Sequence, residues 1–188
     1  MVLQYSSVPN PARWITESTV PWDELAKFGP HSMFESHARL RYVPDKGQAP
    51  RPEIPPRPFT EQGDAPVFNE LCELLKAETT TPDRCYFCLW DGWPDIDRDI
   101  DPGPPTVLIP NRSYYLFTGT LSEVGRWSAV TGPDSMPPAA LVWPADHAWC
   151  VASDVDPPWA GIGGTKETIS RLTVQTRVDV MAADPTRW

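Results

Sequence analysis

Three segments of this chain place tryptophan beside carboxylate at positions that read as strand ends: Trp90-Asp91-Gly92-Trp93, Trp143-Pro-Ala-Asp146-His147-Ala-Trp149 and Asp154-Val-Asp156-Pro-Pro-Trp159. Loops gathered at one edge of a sheet would form a pocket with indole walls and carboxylate acceptors. Such a pocket suits a sugar, a cation or a peptide. The candidate ligand-binding set is therefore Asp91, Trp93, Asp146, His147, Asp154, Asp156 and Trp159. In the plainer alternative Trp90, Trp143 and Trp149 are core residues and the aspartates cap turns. Glycoside hydrolysis would need two of Asp91, Asp146, Asp154 and Asp156 at a set separation, which spacing along a chain does not provide.

Other motifs carry less. Cys85-x-x-Cys88, with Cys72 and Cys150, has the composition of a zinc or dithiol site. In a strand, however, residues three apart point to opposite faces, and Tyr86-Phe87 are not knuckle residues, so core thiols are expected. The series Asp95, Asp97, Asp99, Asp101 begins like a calcium loop but lacks its glycine and its closing glutamate, which leaves a solvated acidic loop. Gly161-Ile-Gly-Gly-Thr165-Lys166 would offer backbone N–H groups to an anion if it opened a helix, but a turn and helix cap is the simpler reading. His147 and Cys150, with Asp146 beside them, resemble a base and nucleophile, yet a strand starting at Ala148 would point them apart. The only other histidines are His31 and His37, and no catalytic residue is assigned. No metal or cofactor is implied.

The elements that must hold these residues follow from composition and periodicity. The chain has 188 residues, 40% of them hydrophobic, which suits one core and one domain. Its 24 prolines exclude long helices. Its formal charge of -9 argues against nucleic acid and anionic membranes and leaves a protein partner as the candidate, with the oligomeric state open. The first residues lack a basic, then apolar, leader pattern, and four cysteines are too few for a disulfide scaffold, so a cytoplasmic location with reduced thiols is expected.

Along the chain, Pro21–Phe28 predicts a short helix. Phe34–Val43 alternates, with Ala38 and Leu40 on one face and Arg39 and Arg41 on the other, as in a half-buried strand. Residues 44–66 read as a proline-rich connector. Asp64 precedes a helix whose apolar stripe runs from Val67 to Leu75. Cys85–Trp90 is continuously apolar and suits a central strand. Further strands are expected at Thr106–Ile109, Ser113–Phe117, Ala140–Trp143, Ala148–Ser153, Trp159–Ile162 and Val178–Met181, with a helix carrying Ile169 and Leu172. The fold class is α+β, with a mixed or mainly antiparallel sheet of about five to seven strands and two or three short helices.

Four segments together carry a resemblance: Phe34-Glu-Ser-His-Ala-Arg-Leu-Arg-Tyr-Val-Pro-Asp45, Thr81-Pro-Asp-Arg-Cys-Tyr-Phe-Cys-Leu-Trp-Asp-Gly-Trp93, Tyr114-Tyr-Leu-Phe-Thr-Gly119 and Trp143-Pro-Ala-Asp-His-Ala-Trp-Cys-Val-Ala-Ser-Asp-Val-Asp156. With Gly161–Gly164 they resemble a family of uncharacterised actinobacterial proteins, over roughly Trp14 to Asp184. That resemblance implies kinship and brings no activity with it. In general character the chain is also similar to SUKH-type immunity domains, which are acidic α+β binding proteins. The functional expectation is a non-enzymatic protein-binding domain, immunity-like or regulatory. The alternative is a small-molecule binding protein or hydrolase with an Asp/His/Trp pocket at the sheet edge.

Overall fold

Proline and turn residues cut the chain into short elements, and the backbone groups of most are satisfied by one sheet. The computed structural model describes residues 3–6, 8–48, 51, 64–94, 96, 103–127 and 137–188. Among these, the strands are β1 (Gln4–Tyr5), β2 (Ser36–Arg41), β3 (Cys85–Trp90), β4 (Val107–Ile109), β5 (Arg112–Gly119), β6 (Leu141–Pro144), β7 (Cys150–Ala152), β8 (Trp159–Gly164) and β9 (Val180–Ala182). The helices are α1 (Arg13–Thr16), α2 (Trp22–Phe28), α3 (Ala65–Leu75) and α4 (Lys166–Thr173). The α+β class and the antiparallel sheet are as the sequence predicts. The described strands number nine, above the expected five to seven: β2–β9 fall on the eight segments read as strands, and β1, of two residues, is a strand only through its pairing with β5; the described α-helices number four, above the expected two or three.

Across the sheet the order is β1, β5, β3, β6, β7, β8, β2, β9, and β4 pairs with the start of β5. Every pairing is antiparallel. Register then fixes what lies at each end. At one, here the upper end, β3 leaves at Trp90, β5 enters beside it (Trp90↔Tyr114), β7 leaves after Ala152, and β8 enters at Trp159. At the lower end β3 enters at Cys85 opposite Pro144, the last residue of β6, and the β6–β7 turn follows. The two ends are separated by about 17 Å of strand.

Helices cover both faces. Val67, Phe68, Leu71, Cys72 and Leu75 of α3, with Ile169 and Leu172 of α4, pack on Cys85, Phe87, Leu89, Phe117, Val142, Val151 and Ile162. Ile15 of α1 and Leu25 and Ala26 of α2 pack on the other face with Cys88, Leu116, Leu141, Trp143 and Cys150. A strand covered on both sides has no polar face to show, which is why β3 reads as an unbroken apolar run. Trp143 and Trp149 are fully buried, as the core reading of those residues expects.

Three local expectations change. Arg39 and Arg41 do not face solvent: they are 3% and 4% exposed. Their cost of burial is offset by Asp45, bonded to Arg39 at 3.2 and 3.1 Å and to Arg41 at 3.0 Å, and by Asp179, 2.8 Å from Arg41. The ring of Trp188 lies 3.6 Å from the Arg39 guanidinium carbon. Gly161 lies in β8 as expected, but Gly163 and Gly164 extend that strand, and the helix is entered only at Thr165. A side chain on Gly161 would overlap the Lys27 carbonyl oxygen, and one on Gly163 would overlap Phe34, so the glycines let α2 and the residues after it lie directly on the sheet. Asp64 stands at the start of α3 but makes no side-chain cap bond, whereas Thr165 does cap α4, accepting from the Thr168 N–H. Most of the 44–66 connector lies outside the described residues, and its end, Ala65-Pro66, already belongs to α3.

Candidate functional site

At the lower end Asp146 occupies the β6–β7 turn. Its carboxylate accepts from Thr79 Oγ1 at 2.8 Å, from the Thr80 N–H at 2.7 Å and Oγ1 at 2.8 Å, and from the Ala148 N–H at 3.2 Å. Partial burial alone would raise its pKa. The hydrogen bonds from Thr80, Thr79 and Ala148 overturn that and hold it at about 2. The carboxylate is thus a staple between the turn and residues 79–80, not a proton donor at neutral pH.

That staple presents His147. The residue has φ +54°, a left-handed conformation uncommon for residues with a side chain, though less so for histidine than for most. Its ring stacks on Trp14, with centroids 4.4 Å apart and planes 21° apart. Partial burial lowers its pKa, outweighing the raising effect of Asp146, so the imidazole is neutral at neutral pH. Beside the stack lies an open cavity of about 500 Å³ whose walls include Asn10, Arg13, Glu17 and Tyr86.

The upper end is organised around a residue that the sequence does not single out, Arg112. Its Nε and Nη2 donate to the two oxygens of Asp154, both at 3.0 Å, in a two-pronged pair. Asp156 lies 3.5 Å from Nη2 and is itself 83% exposed. The guanidinium carbon sits 5.7 Å from the Trp22 ring and 5.8 Å from the Trp90 ring, within cation–π range of both. Trp93 meets Trp90 edge-on at 5.9 Å, and Asp91 follows β3 with its N–H bonded to the Ser113 carbonyl at 3.1 Å. Trp22 and Val155 are exposed beside this cluster. Trp159 enters the same end of the sheet but is buried against Phe28 and Trp188.

The seven candidates therefore do not gather at one edge. Asp91, Trp93, Asp154, Asp156 and Trp159 lie at the upper end, and Asp146 and His147 at the lower. The physical reason is strand direction: a hairpin turn and the connection leaving its second strand must fall at opposite ends of a sheet. Asp146 is consumed in hydrogen bonds at its turn, as the turn-capping alternative expects, whereas Asp154 is consumed in its pair with Arg112. Arg112, Trp22, Trp14 and Tyr86 complete the two ends. Their positions depend on register, since Arg112 reaches Trp90 only because Tyr114 pairs with Trp90, and the sequence carries no local signal for it.

The four thiols are buried, Cys72 and Cys85 on the α3 side and Cys88 and Cys150 on the α2 side. Burial raises the pKa of each, that of Cys85 to about 12 with added repulsion from Asp146 and Asp83. Cys85 and Cys88 thus face opposite ways, as strand geometry requires. His31 pairs with Glu24 at 2.8 Å, and His37 bonds the His31 carbonyl at 2.9 Å. Among the described residues no three of His, Cys, Asp and Glu gather as metal ligands, and no helix is long and apolar enough to cross a membrane. The Asp95–Asp101 series lies outside the described residues.

No protein-family model matches the chain, and neither a curated protein nor a solved structure gives a match.

Proposed function

We propose that this chain is a non-enzymatic protein-binding domain, immunity-like or regulatory in kind, related to the actinobacterial proteins its motifs resemble. Its partner docks on the upper end of the sheet. The observation that carries this reading is Arg112, held by Asp154 against Trp22 and Trp90 with Trp22, Val155 and Asp156 exposed around it. Tryptophan and arginine on a rigid support are the residues that dominate binding energy at protein interfaces. A side chain already locked in place also loses little entropy on binding. The net charge of -9 and the exposed Asp156 favour a basic partner and speed its approach.

The test is affinity capture from cells that make the protein naturally, comparing the wild type with Trp22→Ala and Arg112→Ala variants, each shown by circular dichroism to be folded at the capture temperature. A partner retained by the wild type and lost with both variants is expected. Recovery of free protein alone, or equal recovery of one partner by all three, overturns the reading.

A further inference from the structure

We infer a second binding site, for a neutral saccharide, in the lower-end cavity walled by Trp14, Tyr86 and His147. It lies at the opposite end of the sheet from the Arg112 cluster and does not depend on the protein-binding reading.

The volume of about 500 Å³ falls within the range of small-molecule pockets. Three aromatic rings contribute to its walls, and their angles select the shape of the guest. Trp14 is inclined 71° to Trp143, while Tyr86 lies 28° from Trp143. The difference, 71° less 28°, keeps the planes of Trp14 and Tyr86 at least 43° apart. A flat heterocycle binds best in a slot between parallel rings, where both its faces can stack. Walls that meet at an angle instead suit a puckered ring, which turns polarised C–H groups toward more than one side. A saccharide has that form, with hydroxyls around its edge.

The polar groups match the same guest. Arg13 donates through Nε to Glu17 Oε1 at 2.6 Å, and both side chains remain mostly exposed, 72% and 60%. They present a donor and an acceptor side by side, the arrangement that neighbouring hydroxyls satisfy, and Asn10 adds an amide that can both donate and accept. The formal charges of Arg13 and Glu17 cancel and His147 is neutral, so nothing in the cavity selects an ion. His147 is also held in a strained left-handed backbone by the Asp146 staple. Strain of this kind persists where the surrounding structure over-determines it, and it clusters at ligand sites.

The experiment is a titration of the ¹⁵N-labelled full chain with glucose, galactose and N-acetylglucosamine at millimolar concentrations, followed by amide shifts, with adenine as the flat comparison. Saturable shifts confined to residues 10–17, 86 and 145–147 are expected for at least one sugar. Glu17→Gln, at an exposed position, and His147→Gly, which suits the left-handed backbone, keep the fold and each weaken binding by at least about tenfold. Three results overturn the site: no sugar saturates, adenine alone binds there, or both variants bind as tightly as the wild type.

Discussion

Asp146→Asn tests the chemistry of the lower end most directly, because the replacement keeps shape and one acceptor while removing the charge. The folded carboxyl titrates at about 2 against an ordinary value of 3.8. That depression corresponds to a gross linkage of about 2–3 kcal/mol, at about 1.4 kcal/mol per tenfold change in the equilibrium. Asp146 is an exposed residue, and solvent screening reduces the usable figure to about 1 kcal/mol. Because the folded pKa is depressed, this stabilisation is complete above the unfolded value near 3.8 and disappears as pH falls through about 2. Urea unfolding of both proteins should therefore give a difference of about 1 kcal/mol near neutral pH and about half of that near pH 3, with unchanged m-values. A variant as stable as the wild type at neutral pH, or a difference equal at both pH values, refutes a stabilising role for the charge of Asp146. The first outcome would mean that the bonds from Thr79 and Thr80 do not need the charge.

Other consequences are equally open to measurement. All four cysteines should resist an aromatic disulfide reagent in the native protein at neutral pH and react once urea unfolds it; native labelling of Cys88 or Cys150 would contradict their burial. Gly161→Ala should destabilise by about 2–3 kcal/mol, because the added methyl meets the backbone carbonyl of Lys27 instead of a movable side chain. A loss under about 0.5 kcal/mol in urea unfolding would show that α2 can shift away from the sheet. Asp154→Ala should cost about 1–2 kcal/mol by removing the two-pronged partner of Arg112 and leaving it only the exposed Asp156 and the Asn111 carbonyl, and adding Arg112→Ala should cost little more, since the two side chains act as one unit. Additive losses in the double mutant would separate them.

Much of the framework is legible from residue patterns. The apolar run at 85–90, the stripe from Val67 to Leu75 and the paired segments around the 144–147 turn correspond to β3, α3 and the β6–β7 hairpin. The opposite facing of Cys85 and Cys88 follows from the strand period alone. Even the separation of Asp146 from Asp154 is implied by the hairpin, since its turn and its exit lie at opposite ends. Placing all seven candidate residues at one edge overlooks that consequence.

Other features depend on partners far away in the chain. Arg39 and Arg41 alternate with apolar residues and so look solvated. Their burial depends on Asp179 and, for Arg39, on Trp188, which no local pattern connects to them. Gly163 and Gly164 look like a helix entrance until both are seen paired in β8, with Phe34 lying against Gly163. The Arg112 cluster joins α2, β3, β5 and the β7–β8 connection, and the Trp14–His147 stack joins α1 to a turn more than a hundred residues later. Sequence alone determines which residues can bury, turn or pair, because hydrophobic period and backbone preference act between near neighbours. Only the tertiary structure decides which tryptophan meets which charge, because strand order and register bring distant segments to a common end.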